Sequence, residues 1–197
     1  MNTKKILAVI LALVAVITVF AACGGKDGNE GGEAAASNYE SAVAVLDAAW
    51  AKYTEGLGED EKFPTVGAMD YENSTGAGAL DIADVETLVG SFGFPEAEVA
   101  NVSEVASIMH AMNGNVFTAV AFRTAEGADM AAIAESYKTA LAEKQWWCGQ
   151  PDGYAIIKAD AEYMIVVYAQ QPLEGFKTAA LAAIAGSEIV AEGSFAA

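Results

Sequence analysis

One phrase recurs in the second half of the chain: two short runs of β period, then a run of helical period. Residues 105–112 are extended and largely apolar, and Asn113-Gly114, a favoured dipeptide for a tight type I′ turn, closes them. Residues 115–123 return, with Val116, Thr118, Val120 and Phe122 alternating against Phe117, Ala119 and Ala121. From 126 to 146 the apolar residues Met130, Ile133, Ala134, Tyr137 and Leu141 fall on one helical stripe. Residues 147–153 break it. A second hairpin follows at 154–158 and 163–169, around a turn at Asp160, and then a helix from 172 to about 185 carrying Leu173, Phe176, Ala180 and Ile184. Strand-strand-helix, twice, leaves few architectures open. It predicts an α+β fold with an antiparallel sheet of about four strands, made of two hairpins, with the helices layered on one face.

A further helix precedes these elements. Ser37 or Asn38 can cap it, Tyr39, Val43, Leu46, Trp50 and Tyr53 recur at helical steps, and Gly56 and Gly58 stop it. Glu59-Asp60-Glu61, Phe63-Pro64 and a glycine-rich passage through Gly67, Gly76 and Gly78 lead to a short helix over 81–92, with Val85, Leu88 and Val89 on one side. Residues 38–185 are thus expected to form one domain, long enough for a proper core. The tail, 186–197, has no clear period and is expected to fray.

The start of the chain carries an address. Lys4 and Lys5 precede an uncharged apolar run over 6–20, and Ala21-Ala22-Cys23 closes it. That is the layout of a secretory signal, and the run is short of the roughly 20 residues a spanning helix needs. Phe20-Ala21-Ala22-Cys23 resembles a bacterial lipobox, which implies cleavage between Ala22 and Cys23 and diacylation of the Cys23 thiol. Residues 1–22 are therefore expected to be a signal peptide and Cys23 the site of lipid attachment. Two or three acyl chains, palmitate among them, would hold the protein on the outer face of the cell membrane, since one chain binds only marginally. Residues 23–37 contain no large apolar side chain and read as a flexible tether, with a reach of roughly 45 Å when fully extended.

Charge narrows the partners. The chain carries a formal −17, and loss of the segment before Cys23 removes two more lysines. With Arg123 as the one arginine and no basic stripe, nucleic acid is excluded as a partner. Such acidity suits solubility, or the recruitment of cations and basic partners. If Cys23 is acylated, Cys148 has no partner and no intramolecular disulfide forms.

Several phrases carry a resemblance. These are Phe63-Pro64 after a helix, 117–122 leading into Ala125-Glu126-Gly127, and Ile156-Ile157-Lys158 followed by 163–167. From about Val45 to Ala169 the chain resembles a family of uncharacterised lipoproteins of clostridia and related Gram-positive bacteria, which carry a domain of unknown function. It departs from that family at Trp146-Trp147-Cys148, where a more polar linker is usual. The resemblance implies an envelope address and a fold, and no activity, cofactor or functional residue.

Catalytic types are scarce. Trp147-Cys148-Gly149-Gln150-Pro151 echoes a thioredoxin site but lacks the second cysteine and follows a helix instead of opening one. His110, the only histidine, lies in Met109-His110-Ala111-Met112 and shares a strand face with Met112 alone, too few ligands for copper. Glu59-Asp60-Glu61, with Asp70 and Glu72, suggests calcium by charge, but matches no EF-hand spacing. Asn73-Ser74-Thr75 fits a glycosylation sequon by chance. No catalytic residue, metal or cofactor is therefore assigned. The sequence predicts a non-enzymatic, lipid-anchored binding or interaction domain of the bacterial envelope, taking a small ligand or an envelope protein, with an apolar pocket near Trp50, Phe117 and Tyr163. A carboxylate-based hydrolase of the cell envelope and a structural assembly subunit are the alternatives.

Overall fold

A computed structural model describes residues 37–72 and 76–195. In chain order these form α1 (Ala42–Glu55), β1 (Thr65–Gly67), β2 (Gly78–Leu80), α2 (Val85–Phe92), β3 (Val102–His110), β4 (Phe117–Thr124), α3 (Met130–Glu143), β5 (Gly153–Lys158), β6 (Tyr163–Ala169), α4 (Leu173–Ala183) and β7 (Glu188–Ser194). The α+β class is as expected. The strands join one seven-stranded sheet in the order β1-β3-β4-β6-β5-β7, with β2 also on β3, and every pairing is antiparallel.

The sheet is larger than the four strands expected because three short or polar strands were added at its edges. β1 and β2 lie end to end along β3, pairing Thr65 with His110 and Leu80 with Val105. Between them Gly67 and Gly78 touch: a Cβ on Gly67 would lie 2.4 Å from the Gly78 nitrogen, so glycine is required there. At the other edge, the tail expected to fray forms β7 and pairs with β5 from Gly153–Ser194 to Lys158–Glu188. Its sequence alternates exposed and half-buried positions, the pattern of an edge strand with one face on the protein.

The helices cover both faces of the sheet, not one. Under α1 and α4, Phe117, Ala119 and Ala121 of β4 join Ile157, Ile165 and Val167, and they meet Val45, Leu46, Ala49, Phe176 and Ala180. Under α2 and α3, Val120, Phe122, Ile156, Met164 and Val166 meet Leu88, Phe92, Ile133, Tyr137 and Leu141. The signal for this lies in β6, YMIVVYA, which is apolar at every position and buried at every position. A strand with a solvated face alternates, and one covered on both faces does not. Each such side chain stabilises the fold by about 1.5–3 kcal/mol when fully buried.

Two local expectations also shift. The α1 N-cap is Ser41, whose Oγ accepts the Ala44 N–H at 3.2 Å, in place of Ser37 or Asn38. Asn113-Gly114 does not form a type I′ turn, which needs positive φ at both residues, and neither has it. Asn113 Oδ1 instead accepts the Asn115 N–H at 3.0 Å, and the Asn113 carbonyl accepts the Val116 N–H at 3.0 Å, so an Asx turn opens a longer loop between β3 and β4.

Candidate functional site

A cleft of about 610 Å³ opens at the end of the sheet where β3 and β6 finish and β4 and β5 begin. The end of α1 supplies Tyr53, the segment after it Leu57, Asp60, Glu61 and Phe63, β3 His110, and the segments flanking β5 and β6 Asp152 and Gln170. No single stretch of sequence contains the site. Adjacent to it, Asp152, Gln170 and Gln171 also line a second hollow of about 530 Å³ that reaches Tyr154, Lys177 and Glu192.

Its aromatic wall is braced from beneath. Trp50 packs against Tyr53, Phe63 and Phe117 with centroids 5.4–5.6 Å apart, and Phe63 stacks on His110 at 5.2 Å and 24°. Such pairs hold ring positions beyond simple burial. Tyr53 is fixed to α4, where Gly175 lets the backbone approach: a Cβ there would fall 2.9 Å from the Tyr53 ring. Burial first, and then the Glu61 charge, push the Tyr53 phenol above its ordinary pKa. His110 Nδ1 accepts the Met112 and Asn113 N–H groups at 3.1 and 3.2 Å, which fixes the ring in the cleft wall.

The sequence-predicted positions divide. His110 belongs to the cleft and is satisfied within the protein, not part of a copper set. Asp60 and Glu61 line the cleft, with Glu61 Oε2 accepting the Gly58 N–H at 2.8 Å, while Glu59 pairs with Lys62. Among the described residues no group of three or more His, Cys, Asp or Glu side chains could hold a metal ion. The expected pocket around Trp50, Phe117 and Tyr163 is not a pocket, since Phe117 and Tyr163 are fully buried core and the cavity opens one layer further out. Trp146 and Trp147 part ways: Trp146 packs on Tyr168 and Phe195, whereas Trp147 is 71% exposed beside exposed Cys148. Ala22, Cys23 and Asn73-Ser74-Thr75 lie outside the described residues.

Sequence reasoning missed Tyr53, Phe63, Asp152 and Gln170 as neighbours, because only the strand order brings them together. The one local hint was an aromatic, Phe63, two residues after the acidic run.

The opposite end of the sheet is closed by charge. Arg123 of β4 reaches Glu104 at 3.3 Å and Glu162 at 2.5 Å, and Glu104 also accepts the Ala42 N–H at 3.0 Å, one of the free amides that open α1. Ser37 joins this cluster, its Oγ 2.5 Å from Asp160 and its N–H 3.3 Å from Glu162. The chain therefore enters the domain at the end remote from the cleft, the length of β6 away, roughly 20 Å. No family model, no curated protein and no solved structure matches the chain.

Proposed function

We propose that this protein is a lipid-anchored, extracytoplasmic binding domain of the bacterial envelope, fastened through acyl chains on Cys23, which takes its ligand in the cleft of Tyr53, Phe63, His110 and Asp152. The observation that carries it is the arrangement of the two ends. A tether that joins at Ser37 attaches at the end of the sheet remote from the cleft, so the point of attachment leaves the cleft unobstructed. Of the phrases that carry the resemblance to clostridial lipoproteins, 117–122, 156–158 and 163–167 lie in strands β4, β5 and β6, while Phe63 lines the cleft. The three strands form the scaffold.

A pre-formed cleft with an aromatic wall and a few convergent polar groups is the usual form of a binding site. A second reading has one observation in its favour: Asp60, Glu61 and Asp152 line the same cleft, and two carboxylates facing a shared substrate are the machinery of glycoside hydrolysis. Release of reducing sugar from cell-wall polysaccharide, abolished by Asp152→Asn, would favour the hydrolase.

The attachment and the binding are tested separately. In cells fed labelled palmitate, the wild-type chain is expected to incorporate label, and Cys23→Ser to remain an uncleaved, unlabelled precursor; labelled or correctly processed Cys23→Ser overturns the anchor. For binding, thermal shift against metabolites, metals and peptidoglycan fragments is expected to find a ligand whose stabilisation Phe63→Leu weakens. No stabilising compound in the panel overturns the binding reading.

A further inference from the structure

We infer that the cleft takes an organic cation, an ammonium or guanidinium group on an apolar stem, an assignment that rests on the binding reading above. Its lining includes Tyr53 and Phe63, both half-buried, and an aromatic ring attracts cations over an uncovered face; one face of Phe63 is taken by His110. Its rim supplies Asp60, Glu61 and Asp152, and no lysine or arginine is among its lining residues. An anion would meet three carboxylates there.

The remainder of the molecule sharpens the point. Among the described residues every basic side chain is engaged elsewhere. Lys52, Lys62, Arg123, Lys138, Lys158 and Lys177 sit in ion pairs, and the Lys144 Nζ donates to the Gly90 carbonyl at 2.7 Å. Among the described residues no lysine or arginine lines the cleft itself, and Lys177 in the adjoining hollow is held by Glu174 and Glu192. Acids in exposed loops are ordinarily a solvated run, and alone these would be one. Here they border a braced aromatic wall around a cavity of ligand size, with the His110 ring pinned by two backbone amides. Pre-organised walls lower the ordering cost of binding. The chemistry that fits both surfaces at once is a charged head with an apolar stem.

The same head group could belong to a free amine or to an Arg or Lys side chain of a partner. Titration calorimetry on the full chain at low salt separates these, using agmatine, phenethylamine and N-acetyl-arginine amide, with N-acetyl-citrulline amide and phenethyl alcohol as neutral isosteres. The cations are expected to bind at least about tenfold more tightly than their isosteres, the combined effect of ring and carboxylate contacts. Asp152→Asn and Asp60→Asn, which change only exposed side chains, should each weaken cation binding about two- to fivefold and leave the isosteres unmoved. Agmatine as tight as the blocked arginine identifies a free amine as sufficient, and a clear preference for the blocked arginine identifies a protein side chain; both uphold the inference. Equal binding of cations and isosteres overturns it while the binding reading stands. Cation binding unaffected by both Asp variants overturns the site. Failure of these probes together with the broad panel removes both readings.

Discussion

Two tyrosines show how much a single hydroxyl decides. The C-terminus of α2 ends at left-handed Gly93, and the carbonyls of its last turn need partners. The side chains of neighbouring elements provide them: Lys144 Nζ to Gly90, Tyr168 Oη to Ser91 at 3.4 Å and Tyr137 Oη to Phe92 at 3.0 Å. Tyr137 is fully buried, and burial pushes its phenol well above the ordinary value. Tyr163 is also buried, under Arg123, yet its hydroxyl has no hydrogen-bond partner among the described residues. The two should answer the same substitution in opposite ways. Tyr137→Phe orphans the Phe92 carbonyl and is expected to cost about 1–3 kcal/mol, whereas Tyr163→Phe removes an unsatisfied group and is expected to be neutral or mildly stabilising. Urea unfolding of both variants checks this, and equal losses would show that the Tyr163 hydroxyl is bonded in solution.

At the scale of elements, what sequence could convey depended on whether an element carried its own period. The stripe Ile133, Ala134, Tyr137 and Leu141 and the two hairpins were legible because a buried face repeats at 3.6 or 2. β7 was not, since an edge strand of Glu188, Ile189, Val190, Ala191 and Glu192 carries a weak alternation that only the partner β5 makes meaningful. The cleft was illegible for the same kind of reason: Tyr53 and Asp152 meet through topology, and no local pattern records topology. The loop after α3 shows a third case. Cys148 adopts φ 63°, a conformation disfavoured outside glycine. It is held there from the β3–β4 loop, where Asn115 Nδ2 donates to the Trp147 carbonyl and, at 2.6 Å, to that of Gly149, and Asn113 Nδ2 donates to the Cys148 carbonyl at 3.3 Å. Cys148→Gly should therefore raise stability by a few tenths to about 1 kcal/mol, and Asn115→Ala should lower it by about 1 kcal/mol. Thermal melts decide it; destabilisation by Cys148→Gly would mean that the thiol packs against something.

For the molecule as a whole, the balance of charge sets a dependence on salt that no single contact does. A formal −17 is spread over a chain whose ion pairs are mostly exposed: the Lys52–Glu55, Lys62–Glu59 and Lys138–Glu135 pairs each have both side chains more than 40% open to solvent. Pairs of that kind contribute about 0–1 kcal/mol each and weaken as salt is added. Against them stands the mutual repulsion of the unpaired carboxylates, which works against the compact state and is also screened by salt. With few cations and many anions, the repulsion is the larger quantity. Raising sodium chloride from about 10 mM to physiological ionic strength, where the Debye length falls to about 8 Å, should therefore raise the melting temperature. A chain held together by its ion pairs would do the reverse, and a fall in melting temperature would show that the Arg123 cluster with Glu104 and Glu162 outweighs the rest. The same screening should act oppositely on the cleft, where added salt competes with a bound cation. Salt that stabilises the fold while weakening the ligand would separate the two roles of the acidic surface: diffuse over the domain, and local to the cleft that Asp60, Glu61 and Asp152 line.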